Sequence, residues 1–129
     1  MIMKILPILA ILLTLASLAM AADAPSAKSV LRHVVAFKFK ETATKENITQ
    51  IENEFRALKT KIPEIKGYEW GLNNSPEKLN KGCTHGFILT FNTEKDRDTY
   101  LNHPQHKSFG CLVKTLLDDV FVMDFWTKE

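Results

Sequence analysis

The stretch LRHVVAFKF, residues 31–39, decides the fold because its side chains fall into two alternating sets. The first set is Leu31, His33, Val35, Phe37 and Phe39. The second set is Arg32, Val34, Ala36 and Lys38. Alternation with a period of two, rich in Val and Phe, is typical of a β-strand whose successive side chains point to opposite faces of a sheet.

The segments that follow this strand predict a small α+β domain. Apolar residues between 48 and 62 recur every three or four positions, which indicates one face of an amphipathic helix, and Pro63 ends it. The predicted elements are strand 31–39, helix 48–62, strand 65–72, strand 84–91, helix 93–102, helix 107–117 and strand 120–125. Their order, β-α-β-β-α-β with a divided second helix, predicts the ferredoxin-like fold with a four-stranded antiparallel sheet.

The start of the chain predicts export, and the length of the remainder predicts a single domain. Residues 1–21 contain one charge, Lys4, a short apolar run and the small-residue pattern Ala19-Met20-Ala21, which together predict a secretory signal peptide removed after Ala21. An uncleaved anchor helix is the alternative. We therefore expect a secreted or periplasmic protein, with a flexible leader at 22–30, a domain at 31–129 and no membrane association after cleavage.

Charge and cysteine content exclude some classes of protein and leave one question open. Without Lys4, the chain has 16 basic and 15 acidic side chains. Because nucleic-acid binding needs a concentrated basic surface, this balance argues against such a partner. Export would permit a disulfide between Cys83 and Cys111, but two separate thiols are the slightly favoured alternative. Neither cysteine lies in a recognisable nucleophile motif.

A surplus of apolar surface predicts a homodimer. Strands 31–39 and 84–91 carry apolar side chains on both parities, for example Val34 and Ile88 on one and Val35 and Phe87 on the other. The helices can cover only one face of a four-stranded sheet. A symmetric contact with a second copy would bury the other face.

Histidines mark the candidate site. The segment YLNHPQH, residues 100–106, holds two of the four histidines, and the other two, His33 and His85, lie on the apolar parity of predicted strands. Histidine is the side chain whose ordinary pKa lies near neutrality, so it is the usual candidate for proton transfer.

Three segments, RHVV at 32–35, GCTH at 82–85 and HPQHKSFG at 103–110, carry a resemblance to the stress-responsive A/B barrel family. The resemblance covers nearly the whole exported chain and implies a dimeric α/β barrel. The family is functionally mixed and includes a plant cyclase. Similarity to that cyclase implies that His106 is the catalytic base, that Tyr100 polarises the substrate and that Asp124 orients the base.

The same resemblance implies a cavity between the sheet and its helices that binds a small apolar molecule. We expect its substrate-binding residues to be His33, His85, Val35, Phe37, Phe55, Phe87, Phe109, Gly110 and Leu117. Any reaction would be acid–base chemistry of a cyclase or lyase type, without a cofactor or metal.

Two alternatives remain open from the residues. In the first, the protein is a non-enzymatic stress-protection or assembly protein whose histidines are structural. In the second, it is a periplasmic metal-binding protein in which His103 and His106 join His33 or His85 around copper or zinc, ions that suit imidazole.

Overall fold

The computed structural model describes residues 28–128, so the predicted signal peptide lies outside the described residues. The elements are β1 (Leu31–Phe39), α1 (Lys45–Lys61), β2 (Gly67–Leu72), β3 (His85–Phe91), α2 (Glu94–Asn102), α3 (Pro104–Lys114) and β4 (Leu117–Trp126). None of the helices in this range is both long and apolar enough to span a membrane.

The four strands form one antiparallel sheet in the order β2-β3-β1-β4, which confirms the predicted α+β, ferredoxin-like fold. The central strand β1 pairs with both β3 and β4. In the register, His33 lies opposite Leu89 on one side and Asp124 on the other, and Leu89 lies opposite Tyr68 of β2. One cross-strand row therefore runs from β2 to β4 through His33.

Polar caps set where the helices begin. Thr44 forms a capping box with Asn47 at the start of α1, and the Thr93 hydroxyl accepts from the Asp96 amide at the start of α2. The helix predicted from residue 107 begins earlier, at Pro104. Proline suits the first helical position because its fixed φ is helical and no backbone donor is needed there. The preceding cap is His103, whose Nδ1 accepts from the Gln105 amide.

The core lies between the sheet and the helices. It contains aromatic and aliphatic side chains of β1, β3, α1, α2 and α3, and at its centre Phe55 packs against Phe37, Phe87 and Phe109. The opposite face, which we call the open face, has no covering element among the described residues. Phe121, Met123 and Phe125 of β4 lie there with about half of each side chain exposed. The structure thus has the uncovered apolar face that the sequence predicts.

Cys83 and Cys111 are free thiols, the first partly buried and the second exposed. The structure therefore agrees with the alternative of two separate thiols.

The core predicts a large loss of stability for Phe91→Ala. Phe91 is fully buried and contacts Tyr100, so truncation removes apolar contacts and leaves a cavity. We expect the free energy of unfolding to fall by about 3–5 kcal/mol, measured by urea denaturation at one fixed protein concentration. The exposed α1 residue Glu54 is the control, because Glu54→Ala should change stability by less than about 0.5 kcal/mol. A loss below about 1 kcal/mol for Phe91→Ala would contradict this packing.

Candidate functional site

A cleft of about 480 Å³ lies between the helices and the β1–β4 half of the sheet. Several predicted residues line it: His33, Val35, Phe37, Phe55, Tyr100, His106, Phe109, Gly110 and Leu117. The cleft continues past the edge of β4. Val120 and Val122 lie opposite the core residues Phe37 and Val35 of β1, and yet about half of each valine is exposed. The lining is mostly apolar, with Lys114, Asp118 and Asp119 among its members, and an apolar lining with a few polar groups is the usual form of a small-molecule site.

Three predicted site residues do not line the cleft. Asp124 is hydrogen-bonded to His33 without lining the cleft itself, and Phe87 is sealed within the core. His85 lies two residues before Phe87 on β3, where it contacts Trp70 and Phe39. The structure leaves His85 and Phe87 out of the cleft lining because a shared strand parity gives a face of the sheet but not a position along it.

The His106 ring is held by a backbone carbonyl. Its Nδ1 lies 3.1 Å from the Leu101 carbonyl oxygen. Because a carbonyl can only accept, Nδ1 carries the proton, and the neutral ring leaves Nε2 with a free lone pair. Burial lowers the pKa of His106, an effect that the Leu101 hydrogen bond partly opposes. The neutral ring, which is the form of a general base, is therefore favoured at pH 7.

Tyr100 lies between two imidazoles on the cleft wall. Its ring centroid is 4.3 Å from that of His106 and 5.7 Å from that of His33. Burial raises the pKa of Tyr100 above its ordinary value, so the phenol stays protonated. Tyr100 can therefore donate a hydrogen bond to an oxygen atom bound beside His106.

His33 and Asp124 form the charge-assisted pair of the site. The Nδ1–H of His33 donates to Asp124 Oδ1 at 2.6 Å, and Arg97 donates to Asp124 Oδ2 at 3.1 Å. The prediction that Asp124 orients His106 was wrong, since Leu101 holds that ring and Asp124 holds His33 instead. The β1–β4 register places the Asp124 and His33 backbones directly opposite each other, so their side chains meet.

One ring nitrogen of His33 is left without a hydrogen-bond partner among the described residues. Within residues 28–128, the Tyr68 hydroxyl is the single fully buried side-chain polar atom that lacks a hydrogen-bond partner. The Nε2 of His33 has no partner among these residues, yet it is not sealed. Since His33 lines the cleft, we infer that Nε2 faces it.

His85 has the contacts of a structural residue. Its Nε2–H donates to Glu52 at 2.8 Å, and Nδ1 lies 2.8 Å from the Thr84 hydroxyl, which can donate to it. Both ring nitrogens are thus satisfied inside the protein, so His85 has no nitrogen left for a ligand. His103 is the cap of α3, as already described, and does not line the cleft.

Metal ligands do not converge in the part of the chain that the structure describes. Within residues 28–128, no group of three or more His, Cys, Asp or Glu side chains is placed to hold a metal ion. His103 and His106 are engaged in separate backbone hydrogen bonds at Gln105 and Leu101. The metal-binding alternative therefore has no donor set in this range.

Sequence reasoning missed Leu101, Arg97 and Glu52. Arg97 lies three residues before Tyr100 on α2, a spacing that puts both on one helix face, so this neighbour was available from the pattern. Glu52 follows the buried Ile51 on α1, and the helix pattern gave no signal of its contact with His85. The Leu101 carbonyl gives no side-chain signal, because every residue has the same backbone acceptor.

Comparison with known proteins identifies the family. The profile of the Stress responsive A/B Barrel Domain family matches residues 31–127. The chain belongs to this family. It is 32% identical over 99 residues to the stress-response A/B barrel domain-containing protein HS1 of Arabidopsis thaliana, covering 77% of this chain and 91% of that protein. It is 24% identical over 99 residues to olivetolic acid cyclase of Cannabis sativa, covering 77% of this chain and 98% of the cyclase.

Solved structures of A/B barrel and related proteins share the fold. The hydroxynitrile lyase of Passiflora edulis aligns with a TM-score of 0.75 at 24% identity, over 79% of this chain and 96% of the lyase. A protein of Thermobifida fusca, described as dimeric and ferredoxin-like, aligns with a TM-score of 0.67 at 22% identity, over 78% of this chain and 93% of that chain. At these identities the alignments establish a common fold.

The cleft predicts an acid-shifted titration for His106. We expect its ring to titrate below the ordinary value of 6.5, because burial disfavours the imidazolium. The unfolded chain then binds this proton more readily, so the His106 contribution to the free energy of unfolding declines as pH falls below about 6.5. The ring ¹H shifts followed against pH measure this, with His106→Gln assigning the resonance. A midpoint at or above 6.5 would contradict the burial of this ring.

The His33–Asp124 pair predicts a selective effect of Asp124→Asn. The variant keeps an acceptor but loses the charge, and we expect the free energy of unfolding to fall by about 1–2 kcal/mol. In histidine NMR spectra the His33 resonances should move while those of His106 stay in place. Glu52→Gln, which instead perturbs His85, is the matched control. Movement of the His106 signal alone would show that Asp124 orients His106 after all.

Proposed function

We propose that this chain is an exported, homodimeric A/B barrel protein that binds a small apolar molecule bearing a carbonyl or hydroxyl group in the cleft beside His106. There it carries out acid–base chemistry of a cyclase or lyase type without a cofactor. The observation that carries the proposal is the placement of a free His106 Nε2 and the protonated Tyr100 on the wall of one apolar cleft.

The chemistry divides between a base and a hydrogen-bond donor. His106 Nε2 takes a proton from a substrate hydroxyl or from a carbon next to a carbonyl. Tyr100 donates to an oxygen on which negative charge develops. Both interactions are strengthened where water is excluded, and the buried Val35, Phe55 and Phe109 exclude water from the inner wall of the cleft.

His33 gives the cleft a second proton-carrying group. Asp124 and Arg97 fix the ring with Nδ1 protonated, so that Nε2 faces the ligand. When protonated, His33 can donate a proton to a leaving group, and the adjacent Asp124 carboxylate stabilises the imidazolium before this transfer. Base and acid then lie on either side of Tyr100.

The homodimer and export have independent support. The open face is apolar, and structural neighbours from Thermobifida fusca, Bacteroides fragilis and Jannaschia are described as dimeric ferredoxin-like proteins. Export rests on the apolar run and the Ala19-Met20-Ala21 pattern at the start of the chain.

The non-enzymatic alternative has support at two histidines. His85 is saturated by Glu52 and Thr84, and His103 caps α3, so these rings act structurally. The alternative extends the same role to His33 and His106. It differs from the main proposal in expecting no ligand in the cleft.

The hydroxynitrile lyase that shares the fold guides the choice of test compound. We choose mandelonitrile, a small aromatic hydroxynitrile. In its cleavage, His106 Nε2 would take the hydroxyl proton, the carbon–cyanide bond would break, and the oxygen would become the benzaldehyde carbonyl. Cyanide would leave as hydrogen cyanide with a proton from the His33 imidazolium, and proton exchange with water would return both rings to their starting states. Benzaldehyde absorbance measures turnover, and NMR shifts of cleft resonances measure binding.

We expect His106→Gln to lower the rate constant about 10²–10⁴-fold and Tyr100→Phe to lower it about 10²–10³-fold. His103→Asn is the control, because it removes a neighbouring imidazole while asparagine keeps the helix cap, and it should retain activity. Benzaldehyde should shift cleft resonances such as those of Val35. The alternative prevails if wild type shows neither turnover nor cleft shifts at millimolar benzaldehyde and His106→Gln lowers only the melting temperature.

A further inference from the structure

The open face carries three large apolar side chains on one edge strand and two glycines and a glutamate on the other. On β4, the residues of this face are Phe121, Met123 and Phe125. On β2, they are Gly67, Glu69 and Gly71. One cross-strand row runs Gly71, Gly86, Ala36 and Phe121, so three small residues end at a phenylalanine that is 51% exposed.

The small residues leave a hollow in the open face. A Cβ atom added at Gly71 or at Gly86 would meet no atom within 4 Å. A cavity of about 780 Å³ lies there, bounded by Gly71, Gly86 and Ala36 and by the exposed leucines Leu72 and Leu79. The hollow is wide enough for an aromatic ring. Its floor at Gly86 lies two strands away from Phe121, which also borders the cavity and is 51% exposed.

Twofold symmetry decides how two such faces can meet. Sheets pack face to face about 10 Å apart with their strands nearly aligned. If the twofold axis ran across the strands, each β4 would face the partner's β4, placing large residues on large and glycines on glycines. If it runs along the strands, between β1 and β3, each β4 faces the partner's β2 and every row stays level with itself. Phe121 and Phe125 then face the partner's Gly71 and the partner's Gly67, and Met123 faces the partner's Glu69.

We propose that in the dimer Phe121 of each protomer inserts into the hollow over Gly71 and Gly86 of its partner. This proposal rests on the homodimer of the proposed function. It adds which residues of the two open faces meet, which we call the dimer register. The interface is isologous, so the same knob and hollow occur twice. Because Phe121 and the hollow belong to the same chain, the open face is complementary in shape to itself. We therefore expect a second copy of this chain to occupy the hollow.

The register also completes the cleft. Asp119 and Val120 border both the hollow and the helix-side cleft. When Phe121 enters the partner's hollow, the adjacent Val120 comes to the rim of that hollow, where the partner's Leu72 and the partner's Leu79 lie. Those leucines then cover the half-exposed edge of the cleft at Val120, so each cleft is incomplete without the other protomer.

A swap of side-chain volume tests the register. Phe121→Ala removes the knob, and Gly86→Phe fills the hollow without disturbing the protomer, because Gly86 has open space and an ordinary backbone conformation. Sedimentation velocity should show that each single variant raises the dimer dissociation constant roughly 30-fold or more. The double variant moves the ring from one side of the contact to the other and should restore the constant to within about tenfold of wild type.

Each other outcome overturns a distinct claim. A monomeric wild type refutes the homodimer and the register with it. A dimeric wild type whose single variants associate equally well refutes the register alone, as does a double variant that is no better than either single variant. Circular dichroism of each variant checks that the protomer is folded. Failure to bind benzaldehyde in the wild-type cleft refutes the proposed function and leaves the register standing.

Discussion

The structure depends on the position of β1 between β3 and β4. Because every second residue of this strand points toward the helices, a single alternating sequence places His33, Val35 and Phe37 in the helix-covered core and Val34 and Ala36 on the open face. The pairing with β4 brings Asp124 opposite His33. A shift of one residue would exchange the two faces and remove the histidine from the cleft. The register of β1 therefore determines both the candidate site and the surface offered to a second copy.

The four histidines differ in what satisfies their ring nitrogens, and this separates structural from chemical roles. His85 has both nitrogens bonded within the protein, and His103 uses one to begin a helix. In His33 and His106 one nitrogen is fixed, by a carboxylate and by a carbonyl respectively, and the other is free beside the cleft. The His106 ring donates to a carbonyl and is neutral, whereas the His33 ring donates to the Asp124 carboxylate. The two imidazoles around Tyr100 are thereby held by different partners.

Much of the fold could be predicted from the sequence because its signals are local. Alternation of apolar and polar residues predicted β1 and β3, apolar residues at intervals of three and four positions predicted α1, and Thr93 marked the start of α2. The cleft was harder to predict, because strand register and backbone hydrogen bonds determine which of its side chains lie together. Strand parity placed His85 and His33 on one face but could not say that His85 lies at the far end, beside Glu52. The partner of His106 is a carbonyl, which no residue pattern reveals, and Asp124 was consequently assigned to the wrong ring.

The central claim is that the fold holds His106 as a neutral base with its free nitrogen in the cleft, and the tautomer of that ring tests it most directly. Long-range ¹H–¹⁵N correlation spectra of the histidine rings at pH 7 distinguish the two neutral tautomers from the imidazolium. The Leu101 hydrogen bond predicts a proton on Nδ1 and none on Nε2 of His106. A proton on Nε2, in either the other tautomer or the imidazolium, would contradict the account.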